Sequence, residues 1–323
     1  MGNIITKNSK TKENQYKSID NISNSSSSVN DKDYLENLKN KVKSIYPLLN
    51  VNKDNDRLIY QHFILKFLLK GNLHLSIDII ENIMNKKEKI NILDLGCGTG
   101  VWCFDLMDEI KNINDNIYIY GTDIDKRYPE EIKPKNINFG YMSTLDEIDN
   151  IELNFINKEN FDFIYQRLMF AAFRQNDWEI AIKNIIKLLK KDGWFEIVDT
   201  DSIIRYNTKN PSDNILNMNK RWQDFLKSCD INTKIISELD KILMKNYIKV
   251  EKKIVKVPIG TIDNKIAKQF ADNWSMAMLN SKNKIKFENE TDEEFKNTVE
   301  NFKMDLLKSN NYYTYFYIYI GKK

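Results

Sequence analysis

Apolar positions along this chain follow two rhythms that take turns. Ile90, Ile92, Leu93 and Leu95 form a first alternating and then continuous run, the pattern of a strand buried on both faces. Glycines at 96, 98 and 100 end it. Val101, Trp102, Phe104, Leu106 and Met107 then fall at helix-compatible spacing, so a helix is predicted over Val101–Ile110. Further strands are predicted at Ile117–Ile124, Ile137–Met142, Phe161–Arg167 and Trp194–Asp199. Ahead of them, Tyr34–Tyr46 reads as a short helix ended by Pro47, and Arg57–Lys70 as a stronger amphipathic one capped by Gly71. Trp178–Leu189 is a helix closed by Lys-Lys-Asp-Gly. Helices at 214–228 and 235–246, a strand at Lys249–Pro258, helices at 264–280 and 291–308, and a last strand rich in aromatic and β-branched residues at Tyr312–Ile320 complete the pattern. Strands and helices that alternate until late imply an α/β fold, a doubly wound and mostly parallel sheet with helices on both faces. The long excursion between the last two strands makes one edge antiparallel.

Composition narrows the class. The 323 residues are 41% hydrophobic and 29% charged, an ordinary balance that excludes a wholly disordered chain. With 49 Lys+Arg against 46 Asp+Glu the net charge is +3, too even for a dedicated nucleic-acid binder, and none is expected as a partner. Cys97, Cys103 and Cys229 make no Cys-x-x-Cys pair and no even set, which fits a reducing compartment. No apolar run reaches the roughly 20 residues that span a bilayer, and the start lacks the apolar core of a secretory signal. A cytoplasmic location is therefore expected.

Residues 1–33 are polar, with a serine run at Ser25–Ser28, and read as a flexible tail ahead of one domain over 34–323. The start Met-Gly-Asn-Ile-Ile-Thr nevertheless fits N-myristoylation at Gly2, with a hydroxyl at Thr6. One acyl chain binds a membrane only marginally, so Lys7, Lys10 and Lys12 would add the electrostatic part of a peripheral membrane contact. An unmodified tail is the other reading.

The glycine turn at 96–100 sits at a first strand-to-helix crossover, where α/β sheets bind small ligands. A dinucleotide turn would place its third glycine at 101, which is Val101, and no Gly-Lys-Ser/Thr phosphate loop exists. Asp94, inside the strand, would repel a pyrophosphate but suits a ligand carrying ammonium and sulfonium. Asp123, ending the second strand, is an acceptor-only group suited to two adjacent hydroxyls. Leu93-Asp94-Leu95-Gly96-Cys97-Gly98-Thr99-Gly100 resembles motif I of the class I S-adenosylmethionine-dependent methyltransferases, and Asp123 matches the acidic residue that takes the ribose hydroxyls there.

Finer likeness lies in Gln61-His62-Phe63 with Gly71-Asn72, in Phe161–Arg167, in Ile132–Phe139 and in Val257-Pro258-Ile259-Gly260. These segments are similar to the UMTA-like methyltransferases of fungi. The sequence departs from that pattern at His74-Leu75, where Ser-Pro is more usual, and at Ser143, where Asn or Asp is commoner. The resemblance implies a Rossmann-like, seven-stranded methyltransferase fold with helical cap insertions at 34–75, 206–246 and 262–310. It implies S-adenosyl-L-methionine as cofactor, held by Asp94, Gly96, Cys97, Gly98, Gly100, Asp123, Ile124, Ser143, Gln166, Arg167 and Gln61. Ser143 and Asp146 would lie near the adenine, and Tyr165-Gln166-Arg167 beside the methionyl part.

Methyl transfer from a sulfonium is an in-line displacement that chiefly needs the acceptor aligned and water excluded. Only His62 and His74 could serve as a histidine base, and both precede motif I. His62, on the polar edge of its helix, is the candidate catalytic residue, and a hydrogen-bonding role for it is the competing expectation. No Asn/Asp-Pro-Pro-aromatic turn follows the fourth strand, no cysteine follows a proline, and 168–178 holds no glutamate. DNA amino, cytosine C5 and protein arginine methylation are thereby disfavoured. A small-molecule acceptor is expected, its pocket shaped by 206–230 and 262–308 with Trp222, Phe225, Phe270, Trp274, Met276 and Met278; any one of these could equally be helix core. A cofactor-binding regulatory or adaptor protein on the same fold, or a protein methyltransferase, stays open beside it.

Overall fold

The computed structural model describes residues 53–131, 133–246, 248–261 and 264–323. The tail, Gly2 and the expected helix at Tyr34–Tyr46 lie outside the described residues. The chain runs α1 (Lys53–Leu69), α2 (Ile77–Met84), β1 (Ile90–Leu95), α3 (Val101–Ile110), β2 (Ile117–Asp123), β3 (Ile137–Tyr141), β4 (Phe161–Arg167), α4 (Asp177–Leu188) and β5 (Leu189–Thr200). Then follow β6 (Arg205–Tyr206), α5 (Asp213–Ser228), α6 (Leu239–Lys245), β7 (Val250–Pro258), α7 (Lys265–Asn280), α8 (Lys282–Ile285), α9 (Asp292–Leu307) and β8 (Tyr312–Lys322). The short helix α2 is not among the expected elements, although Ser76 at its N-cap and Ile77, Ile80, Ile83 and Met84 at helical spacing mark it.

Strands β3, β2, β1, β4 and β5 lie side by side and parallel. The antiparallel edge comes from β8, which runs against β5 on one side and β7 on the other. The sheet counts eight strands because of the two-residue β6. Tyr313 pairs with Arg205 and Pro258 at once, so β6 lies on the β5 side of β8 and continues that strand after an interruption.

The alternation in β1 decides what each face of the sheet buries. Ile90 and Ile92 join one core, with α1, α3, α5, α7 and α9, while Leu93 and Leu95 join a second, with α4 and α6. In β4, Phe163 and Tyr165 face the first core and Ile164 the second. Every residue of β1 is buried, as a parallel strand covered on both faces requires.

Two of the segments expected to cap the sheet, 206–246 and 262–310, touch through aromatic side chains. Phe270 of α7 contacts Trp274, and Trp222 of α5 contacts both Phe225 and Trp274. The 206–246 segment is nevertheless split: α5 belongs to this layer, but Leu239, Ile242 and Leu243 of α6 sit in the second core with α4. The apolar stripe of α6 thus closes the far face of the sheet instead of capping a site. At α9, Thr291 and Glu294 form a full capping box, Oγ1 of Thr291 accepting from the Glu294 amide at 3.2 Å and Glu294 Oε2 accepting from the Thr291 amide at 2.7 Å.

Candidate active site

The turn after β1 is left-handed at Gly96, Gly98 and Gly100, with φ of 73°, 55° and 73°. A Cβ on Gly96 would lie 2.6 Å from Met169 Sδ, and one on Gly100 2.6 Å from Phe139 Cζ. At Gly98 a Cβ would meet nothing nearer than Leu58 Cδ1 at 4.0 Å, so there the backbone faces open space. Two amides fasten the turn to the end of β2: Gly96 and Cys97 donate to the Thr122 carbonyl at 2.8 and 2.9 Å.

Below the turn lies a cavity of about 470 Å³. Asp94, Gly96, Cys97, Gly98, Asp123, Ile124, Ser143, Arg167 and Gln61 all line it, coming from α1, β1, the ends of β2 and β4, and the loops that follow them. Gly100 shapes the turn without reaching the cavity wall. Trp102 and Tyr165 add a stacked aromatic pair, centroids 4.1 Å apart and planes 3° from parallel.

The carboxylates differ in environment. Asp123 accepts from the Gly98 amide at 2.8 Å and from the Asp125 amide at 2.9 Å. Asp94 is 3% exposed and, among the described residues, accepts only from the Cys103 thiol at 3.6 Å. Burial pushes Asp94 up to about 7, against the pull of the nearby Arg167 guanidinium. Burial likewise pushes the Cys97 and Cys103 thiols up, so neither is a ready nucleophile. Thr99 lines the cavity, and its hydroxyl is buried without a partner among the described residues. Asp146, exposed and outside the cavity lining, accepts from the Ser143 amide at 2.8 Å, and Ser143 stands on the wall. Ile124, 63% exposed at the mouth, offers an apolar face beside Met142 and Leu145.

Two expectations need correction. Gln166 does not line the cavity. Its register partners in β1 and β5 are Leu95 and Ile197, both in the second core, so the strand's alternation turns it to the opposite face from Tyr165 and Arg167. Its amide nitrogen and oxygen are buried there without partners among the described residues. His62, proposed as a base, is 1% exposed and has both ring nitrogens engaged: Nε2 lies 3.1 Å from Asp105 Oδ2 and Nδ1 2.9 Å from Arg167 Nη2. Burial lowers its pKa to about 4, so the ring is neutral, but the nitrogen a base would use already accepts from arginine.

Some wall residues are not marked by the motif. Leu168, Met169, Ala172 and Phe173 form one side, on a loop that starts with Leu168 in the left-handed region at φ 58°. Asp199, at the end of β5, holds that loop by accepting from the Met169 amide at 2.8 Å. Burial pushes its pKa to about 8 despite further backbone donors. The loop's place beside the cavity depends on β4 lying against β5, which local pattern does not report. On the outer side, His74 Nδ1 meets Glu196 Oε1 at 2.6 Å and its amide donates to Oε2 at 2.8 Å, joining the loop after α1 to β5.

A Rossmann-like sheet with a left-handed glycine turn, an acid inside β1 and an acid ending β2 defines a nucleoside-type ligand site. Residues 60–242, more than half of the chain, match the family model described as a methyltransferase domain. The chain belongs to that family. It is 26% identical over 159 residues to the methyltransferase pytC of Aspergillus terreus, covering 49% of this chain and 43% of that protein. It is 23% identical over 239 residues to the secondary metabolism regulator LAE1 of Cochliobolus heterostrophus, covering 71% of this chain and 70% of that one. The chain spans about half the length of the first curated relatives it matches. Among solved structures, the phosphoethanolamine N-methyltransferase 2 of Haemonchus contortus in complex with S-adenosyl-L-methionine aligns over 85% of this chain and 60% of its own at 14% identity and a TM-score of 0.44.

Proposed function

We propose that this protein is an S-adenosylmethionine-dependent methyltransferase acting on a small-molecule acceptor. The observation that carries the reading is the pair of carboxylates set around a side-chain-free backbone: Asp94 and Asp123 flank the turn where Gly98 faces the cavity. The residues present fit the cofactor. Asp123 suits two vicinal hydroxyls, and Ile124 with Met142 suits a flat base. The unpartnered Thr99 hydroxyl can donate to or accept from a polar end. Buried Asp94 makes no ion pair among the described residues and suits an ammonium. When bound, the cofactor would supply an electrophilic methyl on sulfur, which an acceptor's lone pair would attack in line as the S–C bond breaks and S-adenosylhomocysteine leaves. The chain's part is to hold the two reactants aligned and dry: the Trp102–Tyr165 stack and the Leu168–Phe173 loop exclude water from the wall. No proton-accepting residue of the chain is assigned to the acceptor.

Calorimetry with S-adenosylhomocysteine tests the cofactor. Binding should weaken strongly in Asp123→Ala and in Gly98→Arg, whose side chain would fill the cavity, and undiminished binding in both would sink the assignment. A second reading is a cofactor-binding regulator, favoured by the likeness to LAE1 across 71% of the chain. Incubation of labelled cofactor with cell extract separates the two: a methylated small molecule supports the enzyme, a labelled protein a protein methyltransferase, and binding without turnover the regulator. An acylated Gly2 with the adjacent lysines would bring either to a membrane surface. Intact-mass analysis after co-expression with an N-myristoyltransferase would end that part if no mass is gained.

A further inference from the structure

Behind the cavity wall, three donors converge on one buried carboxylate oxygen. Asp105 of α3 is 0% exposed, and its Oδ2 lies 3.1 Å from His62 Nε2, 2.6 Å from Lys66 Nζ and 2.7 Å from Asn72 Nδ2. Ion pairing to Lys66 and the Asn72 amide already satisfies much of a buried carboxylate. The contact to His62 does something further: it fixes the proton on Nε2, because a carboxylate only accepts. Nδ1 is then bare, and it can only accept, which it does from Arg167 Nη2 at 2.9 Å. The other tautomer would set an N–H against an N–H there.

Arg167 is where this chain of contacts ends. It lines the cavity on the same face as Asp94, whose register partner is Tyr165, two residues before Arg167 on β4. Among the described residues it makes no ion pair; its guanidinium meets the neutral His62 imidazole and lies over the Tyr165 ring, 5.9 Å from the centroid. A guanidinium held by a neutral ring keeps its charge for a ligand, whereas one held by a carboxylate would not. Beside it stands Asp94, which likewise makes no ion pair among the described residues.

We propose that Asp105 and His62 are positioning residues, a relay that aims the Arg167 guanidinium at the carboxylate of an α-amino-acid group whose ammonium lies against Asp94. The proposal rests on the cofactor reading above and names how the amino-acid end is recognised. It also gives α1 a role, since His62 links that helix to both α3 and β4. His62 thereby acts through Arg167 and touches no reacting atom.

The test compares two ligands that share the adenosine and thioether parts. S-adenosylhomocysteine carries the amino-acid group and 5′-methylthioadenosine lacks it. In Asp105→Asn, where the amide can donate to Nε2 and reverse the tautomer, S-adenosylhomocysteine should bind about 10- to 100-fold more weakly, the loss of one charge-assisted contact. Affinity for 5′-methylthioadenosine should stay within about twofold of wild type. His62→Leu, which leaves Asp105 its Lys66 and Asn72 partners, should give the same split and serves if Asp105→Asn does not fold. Equal weakening of both ligands would make the network merely structural and overturn the proposal, as would no change in either. Wild-type protein that binds neither ligand would instead refute the cofactor reading.

Discussion

Asp94 gives the sharpest prediction, because its environment makes ligand binding depend on pH with a defined sign. Burial raises its folded-state pKa from 3.8 to about 7. An ammonium bound beside it favours the ionised form, so the proton must leave before binding is strong. With a pKa near 7, about 1% of the free protein is ionised at pH 5 and about half at pH 7. Affinity for S-adenosylhomocysteine should therefore rise nearly tenfold per pH unit between 5 and 6 and flatten above 7. Over that window the ligand's own ammonium stays charged. Calorimetry at pH 5, 6, 7 and 7.5 reads the slope; 5′-methylthioadenosine should lack it, and Asp94→Asn should abolish it. The same shift acts on folding. The unfolded carboxyl loses its proton near 3.8 and the folded one only near 7, so stability is full below 3.8, falls as pH rises to about 7, and is constant above. Three pH units amount to roughly 4 kcal/mol, so Asp94→Asn should be more stable than wild type at pH 8 by up to about that much. Thermal melts at pH 4 and pH 8 read it. A wild-type affinity that is flat with pH, or a slope that survives in Asp94→Asn, would refute the pairing of Asp94 with a cation.

Two further perturbations probe the frame around the site. Gly100→Ala would force an alanine to φ 73° with its methyl 2.6 Å from Phe139 Cζ, and should cost about 3 kcal/mol in denaturant titration; a loss under ~0.5 kcal/mol would mean the turn adapts freely. His74→Ala leaves Glu196, which is 0% exposed, without its imidazole partner and should cost about 3 kcal/mol, whereas an unchanged midpoint would show that the β5 carboxylate is satisfied without it.

Much of this architecture is readable from the chain, and the reason is local. Ile90, Ile92, Leu93 and Leu95 define a strand that must be covered on both faces. Glycines at 96, 98 and 100 are needed because the backbone is left-handed at each, and Asp94 and Asp123 stand within or at the end of strands. Those features depend on neighbours in sequence, so strand, turn, helix and the acids beside them could be placed before any contact was known. The departure at His74 is legible only in three dimensions: it clamps Glu196, which lies 122 residues away.

What the tertiary structure alone decided is which side chains share a face and which partners they meet. Tyr165, Gln166 and Arg167 look equivalent in sequence, yet β4 pairs between β1 and β5 so that Gln166 turns into the second core and its neighbours into the cavity. Asp105 reads as a polar interruption in the apolar pattern of α3, and its meaning appears only where α1 brings His62 and Lys66 against it. The same packing removes His62 from the role of base, since a ring nitrogen's availability is set by its partners and not by its helix position. Periodicity fixes where a side chain leaves the backbone; only the packing of distant elements fixes what it touches.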